Sequence, residues 1–205
     1  MPNYRRVYLP GGIYFFTLVT YCRRPLFKDP ANIELLRAAT AQIKAQKPFE
    51  ILAAVVLPDH IHFVWQLPPN DSDYSQRISR LKVLFTRAFK ANHPLSNQVS
   101  ASRLKHRESD VWQRRFWEHT IKDEADLRQY LDYVHYNPVK HGLVSCPHLW
   151  EYSSFSKWVS QGRYAQNWGC ICSGKSLNLL DFKRIQTITN STFVAFTYCF
   201  GNYKF

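Results

Sequence analysis

The stretch FEILAAVVLPDHIHFVWQL, Phe49 to Leu67, decides how the chain folds. Phe49–Leu57 is a continuous apolar run, suited to a strand covered on both faces. HIHFVWQL comes after only Pro58 and Asp59, so the two segments read as a hairpin with the run as a central strand that positions His60 and His62. Side chains alternate along a strand, which turns His60 and His62 to one side and Ile61 and Phe63 to the other.

Outward from this hairpin, strands and helices alternate. GGIYFFTLVTY, Gly11 to Tyr21, is aromatic and β-branched and reads as a strand. From Asn32 to about Lys47 apolar residues recur at helical spacing (Ile33, Leu36, Ala39, Ile43), and Pro48 closes the pattern. Tyr74 to Asn92 is a second helix, with Ile78, Leu81, Leu84, Phe85 and Ala88 on one face. Val111–Ile121 reads as a strand, and the helix after it opens on the acids of DEADL and stops at Asn137-Pro138. The order β-α-β-β-α-β-α predicts an α+β fold, a ferredoxin-like or RRM-like sandwich with helices packed on one face of a central antiparallel sheet.

The 205 residues suit one domain, and 45% hydrophobic with 16% aromatic content is enough for a packed core. A formal net charge of +12 points to a polyanionic partner, with nucleic acid ahead of an anionic membrane surface. No run approaches the roughly 18 apolar residues of a membrane span, and MPNYRRVYLPGG lacks the apolar core of a signal peptide, so a soluble cytoplasmic protein is expected. The five cysteines, Cys22, Cys146, Cys170, Cys172 and Cys199, are odd in number and scattered, so no disulfide framework is expected. Cys170 and Cys172 have no partner pair elsewhere, which argues against a structural zinc site.

The basic charge is concentrated. Between Gln76 and Arg115 stand ten Lys or Arg (Arg77, Arg80, Lys82, Arg87, Lys90, Arg103, Lys105, Arg107, Arg114, Arg115) against two acids, Glu108 and Asp110. Any one of them suits a solvated helix face. As a cluster interleaved with Trp112, Phe116 and Trp117 they suit a groove that neutralises phosphates while aromatics stack on unpaired bases.

His60 and His62 have Cα atoms roughly 6.5 to 7 Å apart in a strand, a spacing from which two imidazoles can lean onto one ion. The same pair also suits the polar side of a solvated strand. In YLDYVHYNPVK, Tyr130 to Lys140, Tyr133 and Asn137 sit one helical turn apart beside the apolar stripe of Leu127, Leu131 and Val134. A hydroxyl and an amide oxygen would emerge together there, Tyr133 to attack and Asn137 to help hold an ion. The alternative is a half-buried core tyrosine and a helix-terminating asparagine.

The combined pattern is more specific than any of its parts. LPDHIHFVWQLP, SRLKVLFTRAF, VWQRRFWEHTI, YLDYVHYNPVKHGLV and WEYSSF with GRYAQNWG resemble, in order and spacing, the single-tyrosine HUH transposases, and most of all the branch of REP-associated tyrosine transposases, whose opening is similar to YRRVYLPGGIYFFTLVT. The resemblance covers about Tyr4 to Gly169, giving an expected transposase domain over 1–169 and a divergent tail over 170–205 with no assignable motif. It implies an HUH endonuclease fold with His60 and His62 as metal ligands, Tyr133 as nucleophile and Asn137 as third ligand, where insertion-sequence relatives often carry glutamine.

The implied activity is that of a DNA endonuclease and strand transferase on single-stranded hairpin DNA of the REP type. His60, His62 and Asn137 would hold a divalent ion, Mg²⁺ or Mn²⁺, with zinc also compatible with the ligands, which would polarise the scissile phosphate, and in-line attack by Tyr133 would leave a 5′-phosphotyrosine link and a free 3′-hydroxyl. Arg5, Arg6, Arg23, Arg24, Arg77, Arg80, Lys82, Arg87, Arg114, Arg115 and His119 are the expected DNA contacts, and Asp59 either orients a histidine or simply forms the turn. The chain would work as a monomer or homodimer associated with the bacterial nucleoid. Two other readings are an RRM-like module that grips DNA or RNA hairpins without cutting and a metal-dependent hydrolase that uses water.

Overall fold

The computed structural model describes residues 6–93 and 109–172. Arg5, Arg103, Lys105, Arg107 and the tail beyond Cys172 lie outside the described residues. The chain divides into two compact units. The first runs to His135 and takes back Tyr152–Ser154, and the second comprises Tyr136–Glu151 and the residues from Phe155 onward.

In the first unit, strands β1 (Ile13–Val19), β2 (Glu50–Leu57), β3 (His60–Gln66) and β4 (Trp117–Thr120) form one sheet in the order β2-β3-β1-β4. Every pairing is antiparallel. The Pro58-Asp59 turn joins β2 to β3 with Leu57 opposite His60, as a two-residue hairpin requires. β3 is thereby a central strand and β2 an edge strand, not the central strand its apolar run suggested. Its free edge is covered by a returning segment, where Val56 N–H donates to Tyr152 O at 2.8 Å and Val55 bridges Ser153.

Helices α1 (Pro30–Gln46) and α2 (Tyr74–Asn92) cover one face. That face carries Tyr14, Phe16 and Leu18 of β1 with Ile61, Phe63 and Trp65 of β3, packed on Ile33, Leu36 and Ile43 of α1 and Ile78, Leu81 and Phe85 of α2. α1 begins two residues before the apolar pattern does, because the Asp29 carboxylate accepts from Ala31 N–H at 2.9 Å and Pro30 takes the first helical position.

The helices do not all lie on one face. β1 is buried at six of its seven positions. Phe15, on the opposite side from Phe16, has its ring centroid 4.6 Å from Tyr130 and 5.7 Å from Tyr133 of α3 (Glu124–Lys140). A strand buried on both sides needs cover on both sides, and α3 supplies the second layer.

Two boundaries differ from the sequence reading. α3 runs through Pro138 to Lys140, since a proline near the end forfeits a single backbone bond to Val134. The helix closes on Gly142 at φ +67°, with Leu143 N–H to Pro138 O and Gly142 N–H to Val139 O both at 2.9 Å. The expected strand over Val111–Ile121 shrinks to β4. Thr17 pairs with Trp117 but Thr20 with Trp112, so this side has two more residues than β1 between the pairs, and Arg114 and Arg115 bulge into solvent.

In the second unit the aromatic rings of Tyr136, Phe155, Tyr164 and Trp168 pack on one another beside the short helix α4 (Phe155–Ser160), with Tyr164 and Trp168 centroids 4.7 Å apart. No helix among the described residues is long and apolar enough to cross a membrane.

Candidate active site

The α3-facing side of the sheet carries Phe15 and Thr17 of β1 and His60 and His62 of β3. Both histidines are buried, at 6% and 2% exposure, with ring centroids 4.9 Å apart. They are not residues of a solvated face.

Each ring is held through its Nδ1. His60 Nδ1 lies 2.6 Å from Asp59 Oδ1. Burial works against the Asp59 carboxylate, but hydrogen bonds and charges from His60 and Arg23 outweigh it and hold its pKa down to about 2. An ionised carboxylate only accepts, so His60 Nδ1 carries the proton and a neutral ring keeps its lone pair on Nε2. His62 Nδ1 shares a hydrogen bond of 2.9 Å with Thr17 Oγ1, its direct cross-strand neighbour. Two imidazoles oriented through Nδ1 turn Nε2 the other way, a donor set that could hold a divalent ion.

Asp59 thus does both jobs expected of it as alternatives. It makes the hairpin turn and orients a histidine, and it is itself held by Arg23 Nη1 at 2.8 Å. Cys22 and Arg23 both adopt left-handed backbone, at φ 51° and 50°, a conformation that costs a non-glycine residue about 1 to 2 kcal/mol. Thr20 anchors this kink. Its N–H donates to Asp59 O at 2.9 Å and its hydroxyl lies within 2.9 Å of the carbonyls of Arg24 and Asp59.

Tyr133, at 4% exposure, stands edge-on to His62 with centroids 5.2 Å apart. The fold therefore brings His60, His62 and Tyr133 together within the first unit. Asn137, fully buried, comes one turn later in α3 and belongs to the second unit. Thr17 was missed in the sequence. The available signal was a lone buried polar residue at alternating spacing from Phe15, but its partner is set by register.

The expected DNA contacts divide by exposure. Arg80, Arg87, Arg114 and Arg115 are exposed. Arg6 pairs with Glu118 at 3.2 Å and lies 4.3 Å over the Phe116 ring, while Lys82 donates to Gln113 O at 2.9 Å. Arg23 is bound to Asp59, and Arg24 to the Asp110 carbonyl.

Arg77 is not a DNA contact. It is 1% exposed, its guanidinium bonded to the Asp71 carboxylate at 2.6 Å and to the carbonyls of Lys47, Pro48 and Asp73. Trp112, expected to stack on bases, instead packs in the core with Phe27 and Phe85.

His119 clasps β4 to α3, its Nε2 2.7 Å from Asp126 Oδ2 and its ring stacked on Tyr130. His135, whose burial lowers its pKa to about 3, bonds Ser154 Oγ at 2.9 Å and ties α3 to the segment covering the sheet edge. A depression of about 600 Å³ between α1 and α2, lined by Ile43, Lys47, Gln76 and Arg80, lies on the far face of the sheet from the histidines.

One cysteine expectation is corrected: Cys146 and Cys170 are joined by a disulfide, because the fold returns the chain beside the loop that carries Cys146. His148 of that loop lies with them, the three ligand atoms within 4.8 Å of one another.

Comparison with known proteins identifies the family. The family described as Transposase IS200 like matches residues 11–137. A REP-associated tyrosine transposase of Escherichia coli is 39% identical over 168 residues, 82% of this chain and 91% of that protein. A Haemophilus influenzae protein carrying the same family name is 46% identical over 169 residues, 82% of this chain and 94% of its own length. A solved structure of a REP-associated tyrosine transposase bound to a REP hairpin superposes with a TM-score of 0.69 at 39% identity, covering 82% of this chain and 91% of that one. The chain belongs to the IS200-like transposases, in the branch of REP-associated tyrosine transposases.

Proposed function

We propose that the protein is a metal-dependent, site-specific endonuclease and strand transferase for single-stranded hairpin DNA of the REP type, working through a 5′-phosphotyrosine intermediate. The observation that carries this reading is the meeting of His60, His62 and Tyr133 on one face of the sheet, with Tyr133 edge-on to His62 at 5.2 Å. The hairpin as substrate is supported by the solved relative at 39% identity, which is bound to one.

His60 and His62 would hold the ion through Nε2, with Asn137 as the third ligand one turn beyond Tyr133. Two imidazole nitrogens and an amide oxygen suit Mg²⁺ or Mn²⁺. The bound ion supplies charge neutralisation at the scissile phosphate. Tyr133 attacks phosphorus through its hydroxyl oxygen, the bond to the 3′ oxygen breaks, and that oxygen leaves as a free 3′-hydroxyl after taking up a proton. A phosphodiester is exchanged for a phosphodiester, so a 3′-hydroxyl from another end can reverse the step without ATP. Burial of Tyr133 against Phe15 and His62 fixes the ring and excludes water, which favours transfer over hydrolysis. The exposed Arg80, Arg87, Arg114 and Arg115 would neutralise the DNA backbone.

The test is cleavage of a single-stranded REP-type hairpin with Mg²⁺ or Mn²⁺, wild type beside Tyr133→Phe, using oligonucleotides labelled on either side of the cut. The fragment 3′ of the cut should run covalently attached to the protein, and only with Tyr133 present. Hairpin binding without cleavage would make the protein a binding module. Cleavage with both fragments free would make water the nucleophile.

A further inference from the structure

The second unit gathers soft metal-binding groups that the transposition chemistry does not use. The loop after α3 carries Cys146 and His148, and the chain returns with Cys170 and Cys172. The ligand atoms of Cys146, His148 and Cys170 lie within 4.8 Å of one another. Cys172 Sγ is 3.4 Å from Cys146 Sγ, and His148 Nδ1 is 3.9 Å from Cys170 Sγ. We propose that Cys146, His148, Cys170 and Cys172 form a structural zinc site of Cys₃His type.

The chemistry of the donors selects the ion. Three sulfurs and an imidazole nitrogen suit zinc in tetrahedral coordination and do not suit Mg²⁺ or Mn²⁺. The Cys146–Cys170 disulfide of the structure uses two of the four groups and excludes the ion, so the site belongs to the reduced chain. A tetrahedral ion uses all four and closes the shell, as structural zinc sites do.

The backbone is already arranged for this without the sulfurs. Ile171 N–H donates to Ser145 O at 3.0 Å, joining the two segments beside the cluster. Gly169 has φ +71°, and a Cβ there would lie 3.0 Å from Pro147 Cγ and 3.2 Å from Tyr136 Cδ2. Only glycine lets the returning chain come this close to the Cys146–His148 loop. His148 Nδ1 also contacts Gln166 O at 3.0 Å, which fixes the ring beside the sulfurs and is exchanged for the ion on binding.

The ion would lock the two ends of the segment that carries α4 and the Phe155–Tyr164–Trp168 cluster. A segment this small buries little apolar surface of its own, so a metal cross-link replaces the core it lacks.

Zinc content decides the proposal. The full chain, purified under reducing conditions and dialysed without chelator, should hold one zinc ion that a thiol-blocking reagent releases. A His60→Ala/His62→Ala double variant should keep that zinc, and Cys172→Ser and His148→Ala should lose most of it. Replacing zinc by Co²⁺ in the wild type should give an intense thiolate-to-cobalt charge-transfer band, which the two-histidine site cannot produce and which does not depend on any variant folding. A reduced wild type that holds no zinc and gives no such band overturns the proposal. So does a Cys172→Ser variant that keeps its full zinc.

Discussion

Thr17 and His62 face each other across the β1–β3 pairing, the threonine Oγ1 2.9 Å from the imidazole Nδ1. This bond aims Nε2 of His62 from inside the sheet, where neither residue can turn. Thr17→Val keeps the shape and removes the hydroxyl. Mn²⁺ affinity, measured by titration calorimetry, should fall about 10- to 100-fold, as it does when an outer partner of a metal-bound histidine is lost. An unchanged affinity would mean the register alone orients the ring.

Arg23, Asp59 and His60 form a chain in which each holds the next. Asp59→Asn should weaken metal binding more than Arg23→Ala does, because the asparagine no longer compels His60 to keep its proton on Nδ1, while loss of Arg23 only loosens a carboxylate that stays ionised. Metal titrations of the two variants at neutral pH give the order, and equal losses would remove the relay.

Arg77 and its exposed neighbours on α2 should separate stability from DNA binding. Arg77→Ala strips the partner from Asp71 and from three backbone carbonyls, so urea unfolding should show a loss of about 3 kcal/mol. Arg80→Ala and Arg87→Ala should leave stability within about 0.5 kcal/mol. Each should lower hairpin affinity and reduce the slope of log affinity against log salt by about 1. A normal salt slope in both would place the DNA elsewhere.

The same ion pair sets a limb of the pH profile. The Arg77 guanidinium, bonded to Asp71, holds that carboxyl below its ordinary value of 3.8. A depressed carboxylate contributes stability above the unfolded value and loses it as pH falls through the folded one. The stability difference between wild type and Arg77→Ala should therefore be full at neutral pH and shrink below about pH 4. A difference constant down to about pH 2 would assign Arg77's contribution to its backbone carbonyls instead.

Gly169→Ala forces a Cβ against Pro147 and Tyr136 at a left-handed φ. It should destabilise the second unit by about 1 to 3 kcal/mol. Hydrogen exchange should rise at Ile171 and Leu149, with the amides of β1 and β3 unchanged, since those strands belong to the first unit.

Much of this protein is written locally in its sequence. A two-residue turn between apolar runs specifies a hairpin, and period-2 alternation puts His60 and His62 on one side, because both arise from backbone geometry within a few residues. Helical spacing likewise placed Tyr133 and Asn137 one turn apart. What α3 covers is not local. Only the burial of Phe15 behind Phe16 reveals a second layer, and with it the meeting of Tyr133 and His62.

Charge was legible in amount but not in use. Arg77 reads like Arg80, and only the approach of Asp71 and the carbonyls of Lys47, Pro48 and Asp73 turns it from a surface cation into a buried strut. Cys170 and Cys172 lacked a visible partner because Cys146 and His148 stand more than twenty residues upstream, and the close approach at Gly169 is a property of the folded chain. Which side chains share a strand or a helical turn follows from local bond geometry and is legible in the residues alone. Which strands and helices then meet was decided by the tertiary structure, through the burial of apolar surface from segments far apart in the chain.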